Sequence, residues 1–214
     1  MKNKKAIFIM WFLALLPLVM VALCWPHLPE QVPTHWSTSG VVTYSSPAML
    51  WLLAGASPLL ALLFQFLPRF DPKRENYEKF QGRYDFFGPL VPLILLLAMA
   101  VTLCETFYPG RIDVGTVICL AVGVILAVAG NMMGKIKTNW FMGIRTPWAL
   151  NDPDVWNKTQ RLGGRVFFLS GLALILLTFL ASEAVRLWVF FPLLFGGILL
   201  TYFMSWKWFQ ETHT

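Results

Sequence analysis

Three side chains able to bind a metal ion or to assist hydrolysis lie in one proline-rich segment near the start of the chain. His27, Glu30 and His35 fall within residues 26–46, whose sequence is PHLPEQVPTHWSTSGVVTYSS. Their spacing follows neither HxxxH nor HExxH, the patterns that place two histidines on one face of a helix. Adding Glu105 gives a group that could support a membrane peptidase, but the sequence has no GxSxG motif beside it. The sequence therefore predicts no metal, no cofactor and no enzymatic activity.

Residues 26–46 allow two other interpretations. The segment contains no Lys or Arg, and its three prolines bias the backbone toward extended shapes. It could form a compact cap that Trp25 and Trp36 anchor at the membrane interface. Alternatively, its neutral to acidic surface, lined by Trp and His, could capture a secreted molecule.

A second stretch with chemical potential covers residues 131–165. It holds six Lys or Arg and three Trp. Gly143 and Pro147 bracket the sequence GIRTP, which predicts a turn. Arg145 is the one charge in that turn, and its guanidinium could bind a phosphate, a carboxylate or the carbonyls at a helix end.

A helix start follows this turn. Asp152 as N-cap and Pro153 at the first helical position form a strong start signal. We interpret the helix as amphipathic and lying on the membrane surface, with Gly163-Gly164 allowing it to turn or kink into the next span. Its basic face would carry Lys158, Arg161 and Arg165.

The elements that must position these residues are hydrophobic helices. Hydrophobic residues make up 57% of the 214, charged residues 13%, and the mean hydropathy is +0.62. A soluble chain has about 25% charged residues, so the composition predicts an all-α, polytopic membrane protein. Six apolar runs have roughly the 20 residues that cross a bilayer. They cover residues 6–25, 47–67, 86–107, 114–133, 166–182 and 187–206.

The distribution of basic residues predicts the orientation of these helices. Lys and Arg number three before the first helix, none in 26–46, five in 68–85, one in 108–113, six in 134–165, one in 183–186 and one at the C-terminal end. Alternate segments thus hold fifteen against two, and the positive-inside rule places the richer set in the cytoplasm. We therefore expect a multi-pass protein of the cell membrane with both termini cytoplasmic. The bases form short clusters, which favours membrane lipids over direct binding of nucleic acid.

No long polar linker or clear repeat divides the chain, so we expect one helical membrane domain over residues 1–214. Residues 1–67 would form a helix pair with the outer loop 26–46. Residues 68–112 would form an amphipathic inner loop and the third helix. Residues 113–214 would supply three helices and the inner loop 134–165.

The inner loop of the middle part contains its own helix start. Asp71 followed by Pro72 marks an N-cap with proline at the first helical position. The helix after it would lie on the headgroups with one aromatic face turned inward. That face comprises Tyr77, Phe80 and Tyr84.

Four charged residues lie at the expected outer ends of helices. An ionisable side chain in or near lipid needs a partner. We expect at least one of Glu105 and Glu183 to pair with Arg111 or Arg186, or to face an outer cavity.

Two motifs resemble the SdpI family of bacterial membrane proteins. GIRTPWALNDPDVWNKTQRLGGR, residues 143–165, looks like the family signature, and LPEQVPTHWSTSG, residues 28–40, resembles the uncharacterised N-terminal domain of these proteins. The resemblance implies an immunity protein that recognises a secreted peptide toxin. It also implies, for signalling members, that the toxin-bound protein holds a soluble transcriptional repressor at the membrane. By position, the ligand-sensing residues are Pro33, His35, Trp36 and Gly40 in the outer loop, and the partner or signalling residues are Gly143, Arg145, Thr146, Pro147, Trp148, Trp156 and Arg161 in the inner loop.

These inferences favour an integral membrane immunity protein that binds or neutralises a secreted antimicrobial peptide, by sequestering it or by shielding its target. Inward signalling through a repressor would accompany that role. A small transporter or channel is the alternative, although such proteins usually carry charged groups near the bilayer midplane, where this sequence has Leu, Val, Ala and Phe. A membrane peptidase is the third hypothesis.

Overall fold

The computed structural model describes residues 1–37 and 41–213, and its long elements are helices. The α-helices are α1 (Lys4–Cys24), α2 (Met49–Phe70), α3 (Gln81–Phe107), α4 (Val114–Met133), α5 (Pro147–Asn151), α6 (Pro153–Leu180) and α7 (Glu183–His213). Two 3-10 helices cover Trp25–His27 and Arg74–Phe80. All the α-helices except α5 are long and apolar enough to cross a membrane, which gives six spans among the described residues. The prediction of a polytopic helical protein with six crossings is confirmed.

The chain divides into two compact units. The first comprises residues 1–69 and 81–117, and the second comprises residues 70–80 and 118–214. Residues 70–80, which connect α2 and α3 in sequence, therefore belong to the second unit. The single domain expected from the sequence stays a prediction.

In the first unit, α1, α2 and α3 pack around a small apolar core. Asn3 caps α1 by accepting hydrogen bonds from the backbone N–H groups of Lys5 and Ala6. At the same end, the Asp85 carboxylate accepts from the backbone N–H groups of Lys2 and Asn3, at 3.2 and 3.1 Å. The core at the other end consists of Val21, Val32, Leu50, Ala54, Met99 and Leu103.

Residues 26–46 contain a β-hairpin, which the all-α prediction did not include. Strands β1 (Val32–Trp36) and β2 (Val42–Ser45) are antiparallel, with a register irregularity between Pro33 and His35. A proline is tolerated here because each strand of a two-stranded sheet is an edge strand. The side chain of Val32 is fully buried in the core of the first unit. This apolar anchor fixes the hairpin on the helices.

In the second unit, glycines bring α4 and α6 into backbone contact. A Cβ atom on Gly130 would lie 2.5 Å from the carbonyl oxygen of Gly164, and one on Gly171 would lie 2.5 Å from that of Gly123. Real side chains cannot approach so closely, so both crossings require glycine. Contacts of this kind between small residues are a common means of helix association in membranes.

The helix start at residue 152 is confirmed, and the helix that begins there is continuous with the next span. The Asp152 side chain caps α6 by accepting from the N–H groups of Asp154 and Val155, at 2.7 and 3.0 Å. The helix then continues without interruption to Leu180. Gly163 and Gly164 lie inside it and provide flat surface for packing, because a Cβ on Gly164 would lie 2.7 Å from the carbonyl oxygen of Gly130.

Candidate functional site

A cluster of folded loops in the second unit contains most of the residues singled out in the sequence. It comprises residues 70–80, residues 134–152 and the first turns of α6 to residue 162, and we call it the loop assembly. The Lys73 ammonium donates to the carbonyl oxygen of Leu150 at 2.5 Å, and the Asn76 amide donates to that of Thr138 at 2.9 Å. These bonds join segments that are 77 and 62 residues apart in sequence.

The carboxylate of Asp71 is the main polar link within the loop assembly. Only 3% of the residue is exposed, and its two oxygens accept three hydrogen bonds. The donors are the backbone N–H of Lys73 at 2.7 Å, the Tyr77 hydroxyl at 2.8 Å and the backbone N–H of Trp140 at 2.8 Å. A buried carboxylate is costly unless it is hydrogen-bonded, so these donors stabilise the charge where it lies. Asp71 was predicted as an N-cap, and in addition to its local bond to Lys73 it connects residues 70–80 to the loop at Trp140.

The aromatic residues predicted to share one face in residues 68–85 are buried. They do not lie on a separate helix, because Tyr77 and Phe80 belong to a 3-10 helix and Tyr84 belongs to α3. Tyr77 and Phe80 lie on the 3-10 helix that leads directly into α3, and their side chains are 3% and 1% exposed. Within the loop assembly, the Tyr77 hydroxyl donates to the Asp71 carboxylate. Tyr84 belongs to the first unit, where it is fully buried and its ring stacks on Phe64.

Asn139 folds the loop that follows α4. The residue is fully buried, and its side-chain oxygen accepts from the backbone N–H groups of Phe141 and Met142, at 2.9 and 2.6 Å. Its amide nitrogen donates to the carbonyl oxygens of Lys137 and Met142, at 2.9 and 3.2 Å. One side chain therefore forms hydrogen bonds with backbone groups that have no partners in a regular helix or strand, as in an Asx turn.

Gly143 and Gln160 hold the GIRTP turn against α6. The backbone of Gly143 has φ +93°, a conformation that residues with a Cβ rarely adopt. The buried Gln160 amide accepts from the N–H of Ile144 at 3.0 Å and donates to the carbonyl oxygen of the same residue at 2.7 Å. A Cβ on Gly143 would collide with the Gln160 side-chain oxygen. The predicted turn thus needs glycine for its conformation and for the space that Gln160 occupies.

The next residues join the turn to α7. Thr146 is the N-cap of α5: its hydroxyl oxygen accepts from the N–H of Ala149 at 3.0 Å and lies 2.5 Å from the Ser205 hydroxyl. Pro147 occupies the first turn of α5 and is exposed. The half-buried Trp148 ring packs edge-on against Tyr202, with 5.1 Å between the ring centroids.

Among the other inner residues that the resemblance selected, Trp156 is internal and the two arginines lie on the surface. The Trp156 ring is fully buried, and its indole N–H donates to the carbonyl oxygen of Ile136 at 2.8 Å. Arg145 is exposed and donates to the carbonyl oxygen of Trp140 at 2.5 Å. Arg161 is exposed on α6. Gly143, Thr146 and Trp156 therefore shape the loop assembly, whereas the arginines can meet a ligand or a partner.

The surface of the loop assembly is basic. Its exposed cations are Arg74, Lys79, Lys135, Lys137, Arg145, Lys158 and Arg161. A hollow of about 270 Å³ is lined by Asn76, Lys79, Lys137, Thr138, Pro153 and Asn157. This chemistry suits the recognition of anions, through ammonium groups and amides, rather than proton transfer.

The predicted ligand-sensing residues of the outer loop lie on β1 or beyond it. Pro33 is buried, Trp36 is half-buried and His35 is exposed. Gly40 lies outside the described residues. Near the hairpin, the exposed rings of Trp25 and Trp51 have centroids 5.7 Å apart. Within the part of the chain that the structure describes, no three His, Cys, Asp or Glu residues come close enough together to hold a metal ion.

In the described parts of the chain, neither Glu105 nor Glu183 forms an ion pair with Arg111 or Arg186. In the first unit, Glu105 accepts from the backbone N–H groups of Gly110 and Ile112, at 3.0 and 3.3 Å, so the turn itself supplies its partners. Arg111 instead lies over the ring of Tyr108 at 5.5 Å. In the second unit, Glu183 is exposed in the first turn of α7, and Arg186 is only 8% exposed.

The guanidinium of Arg186 is turned toward α4. It donates to the sulfur of Cys119 at 3.5 Å, while its Nε atom has no hydrogen-bond partner among the described residues. That either glutamate faces an outer cavity, the other expectation for these residues, stays a prediction.

Two family models match parts of the chain. Residues 135–206 match the SdpI/YfhL protein family, and residues 12–57 match a domain of unknown function, DUF1648. The first match covers the greater part of the loop assembly, and the second contains β1 and β2. The chain is also 26% identical over 162 residues to the protein named Immunity protein SdpI of Bacillus subtilis (strain 168), which is 75% of the length of each. No solved structure matches the chain.

Proposed function

We propose that this chain is a member of the SdpI/YfhL protein family and a membrane immunity protein, which protects the cell that carries it from a secreted antimicrobial peptide. The observation that carries the proposal is the match over residues 135–206. Asn139, Gly143 and Gln160, which fold the loop assembly, all lie within that match. The similar protein from Bacillus subtilis is named for immunity, which supports the same role here.

The proposed orientation places the hairpin outside the cell and the loop assembly in the cytoplasm. The positive-inside rule supports it, because the segments that alternate with the hairpin loop hold fifteen of the seventeen basic residues. A reagent that cannot cross membranes tests it. The native cysteines are first replaced by serine, and a single cysteine is then introduced at the exposed Glu30 or at the exposed Asn151. Intact cells should label position 30 and not position 151, and the reverse pattern would contradict the orientation.

The hairpin and its aromatic neighbours are proposed to contact the peptide. Trp25 and Tyr44 are 43% and 53% exposed, and His35 is exposed between them in sequence. Exposed aromatic rings of this kind supply large contact areas at low entropic cost. Residues 26–46 contain one acid and no Lys or Arg, so the surface does not repel a cationic peptide.

Protection in living cells tests the proposal. The chain is expressed in a peptide-sensitive bacterium, and the inhibitory concentrations of candidate secreted peptides are measured with and without it. At least one peptide should become less potent. Unchanged inhibitory concentrations for the whole panel, with full-length protein present in the membrane, would contradict an immunity function.

A matched pair of variants then tests the recognition surface. The double variant His35→Ala, Trp36→Ala should lose protection, because it removes two predicted contact residues that are accessible, whereas Pro33 is buried. Phe86→Ala is the control, because it removes an exposed aromatic ring near the start of α3, whereas the hairpin packs on Met99 and Leu103 near the end of that helix. Full protection by the double variant at normal protein levels would exclude the hairpin as the contact surface.

The basic loop assembly is proposed to communicate with a cytoplasmic transcriptional repressor. Arg145 is exposed and Trp148 is half-buried, and hydrogen bonds of Thr146 and Gln160 fix the backbone of the same turn. A rigid turn with accessible side chains supports a role as a docking surface. Arg145→Ala and Trp148→Ala should weaken repressor recruitment to the membrane, measured with a fluorescent repressor after addition of the peptide. Arg69→Ala is the control for a lost surface charge, because Arg69 is exposed and lies outside the loop assembly. Unchanged recruitment and unchanged immunity in both variants would contradict the proposed role.

A further inference from the structure

We infer that a groove between α4 and α6 binds the phosphate of an anionic phospholipid. The groove has a volume of about 250 Å³ and lies in the second unit, at the end of α4. Gly130, Gly134 and Gly164 contribute its backbone surface, and Arg161 and Arg165 its charged walls. This inference does not depend on the proposed immunity function.

The glycines create the groove. Gly130 and Gly164 let the two backbones touch, since a Cβ on either residue would come within 2.7 Å of the other's carbonyl oxygen. At Gly134 the missing side chain leaves open space, with the Arg161 Cγ atom 3.4 Å from the position that a Cβ would take. The surface between the helices is therefore depressed where larger residues would have filled it.

The charges that line the groove are unbalanced. Arg161 and Arg165 are exposed, one turn apart on α6, and no acidic side chain lines the groove. Neither guanidinium forms a hydrogen bond or an ion pair with any residue in the described ranges 1–37 and 41–213. A guanidinium presents a planar set of donors that matches phosphate oxygens, so two of them form a ready anion site.

The position of the groove along the helices identifies a lipid as the occupant. Arg165 is the last charged residue before the apolar stretch 166–180, and α4 ends its own apolar stretch at Met133. The groove thus lies where a crossing helix leaves the hydrocarbon and meets the headgroups. Phe168, which lines the groove and is 37% exposed, continues it toward the apolar side, where an acyl chain would lie. Basic pockets between membrane helices are known to bind anionic headgroups.

The test measures lipid binding to the purified full-length protein in nonionic detergent micelles. Phosphatidylglycerol is titrated, and bound lipid is counted by native mass spectrometry. Arg161→Gln, Arg165→Gln should weaken binding about 25-fold, at about fivefold for each arginine. Lys135→Gln, Lys137→Gln is the matched control, because it removes two exposed charges that do not line the groove, and it should leave affinity within about twofold.

Three outcomes would overturn the inference. Equal losses in both double variants would mean diffuse attraction rather than a site. Phosphatidylcholine binding as tightly as phosphatidylglycerol would exclude recognition of the anion. Complete competition by inorganic phosphate at equal concentration would show that the groove takes free phosphate and not a lipid.

A charge-preserving variant separates loss of the site from loss of the fold. Arg161→Lys, Arg165→Lys keeps both charges but removes the planar donor forks. It should bind phosphatidylglycerol with an affinity between those of the unmodified protein and the glutamine variant, with an unchanged circular dichroism spectrum. Binding equal to that of the unmodified protein would contradict recognition by the guanidinium groups.

Discussion

Replacing Gly143 by alanine should destabilise the loop assembly by an amount that depends on Gln160. The backbone at this position has φ +93°, where a Cβ costs about 1–2 kcal/mol. The new Cβ would also collide with the Gln160 side chain, and displacing that amide breaks both of its hydrogen bonds to Ile144. Losing those bonds costs roughly 1–3 kcal/mol, so the total is about 2–5 kcal/mol.

A double-mutant cycle separates the two contributions. In Gln160→Ala, the colliding group and both hydrogen bonds are already absent. Adding Gly143→Ala to that variant should therefore cost only the backbone part, about 1–2 kcal/mol. The double variant should be more stable than the sum of the single changes predicts, by about 1–3 kcal/mol. Additivity within about 0.5 kcal/mol would refute the reasoning, because it would mean that the two residues do not share this contact.

Limited proteolysis in lipid nanodiscs measures these differences. Trypsin can cut after Lys137 and Arg145, which lie on either side of the Asn139 turn. When opening is fast relative to cleavage, the rate follows the population of the opened loop, so each 1.4 kcal/mol gives about a tenfold change. Gly55→Ala is the control, because a Cβ there meets nothing within 4 Å. Hydrogen exchange at the Ile144 amide gives an independent readout.

Two further predictions concern the polar and the glycine contacts of the second unit. Asp71→Ala should lower the free energy of unfolding by roughly 2–5 kcal/mol, because it removes the acceptor of the Trp140 N–H and the 2.8 Å hydrogen bond of the Tyr77 hydroxyl, and Asp71→Asn should cost less. Equal melting temperatures for the alanine variant and the unmodified protein in detergent would contradict this account of the buried carboxylate. Gly130→Ala should prevent normal folding, because its Cβ overlaps the α6 backbone, whereas Gly134→Ala should be tolerated, with a nearest atom 3.4 Å away. Comparable yields of folded protein for the two alanine variants, measured by size-exclusion chromatography, would show that the helices do not touch as described.

Local patterns in the sequence predicted the spans well. The fourth span was expected at residues 114–133 and occupies Val114–Met133, because an uncharged run of that length has one main stable state in a bilayer. The α6 start at Asp152 was equally local, since an N-cap bonds to residues two and three positions further on. Local patterns did not show that Gly164 packs against α4, because that contact depends on Gly130 in a partner helix.

The residues that build the loop assembly were largely missed. Gln160 and Asn139 are ordinary polar residues in sequence, and no spacing rule marks them. Their partners are backbone groups whose position is fixed only after the chain has folded. Asp71 was recognised as a local cap, but its bond to the N–H of Trp140 spans 69 residues. The hairpin was missed because its strands are short and its anchor, Val32, is one apolar residue in a polar, proline-rich segment.

The sequence by itself determined that six apolar runs cross a membrane and that two of the intervening loops carry the recognisable motifs, because run length, charge and N-caps are local properties of the chain. Only the tertiary structure decided what those motif residues do. It buried Trp156 and Thr146 as supports, fixed Gly143 in a turn against Gln160, and left Arg145 and Arg161 on the surface. It also brought residues 70–80 against residues 134–152, because buried backbone groups need partners, and a folded chain finds those partners in segments that are far apart in sequence.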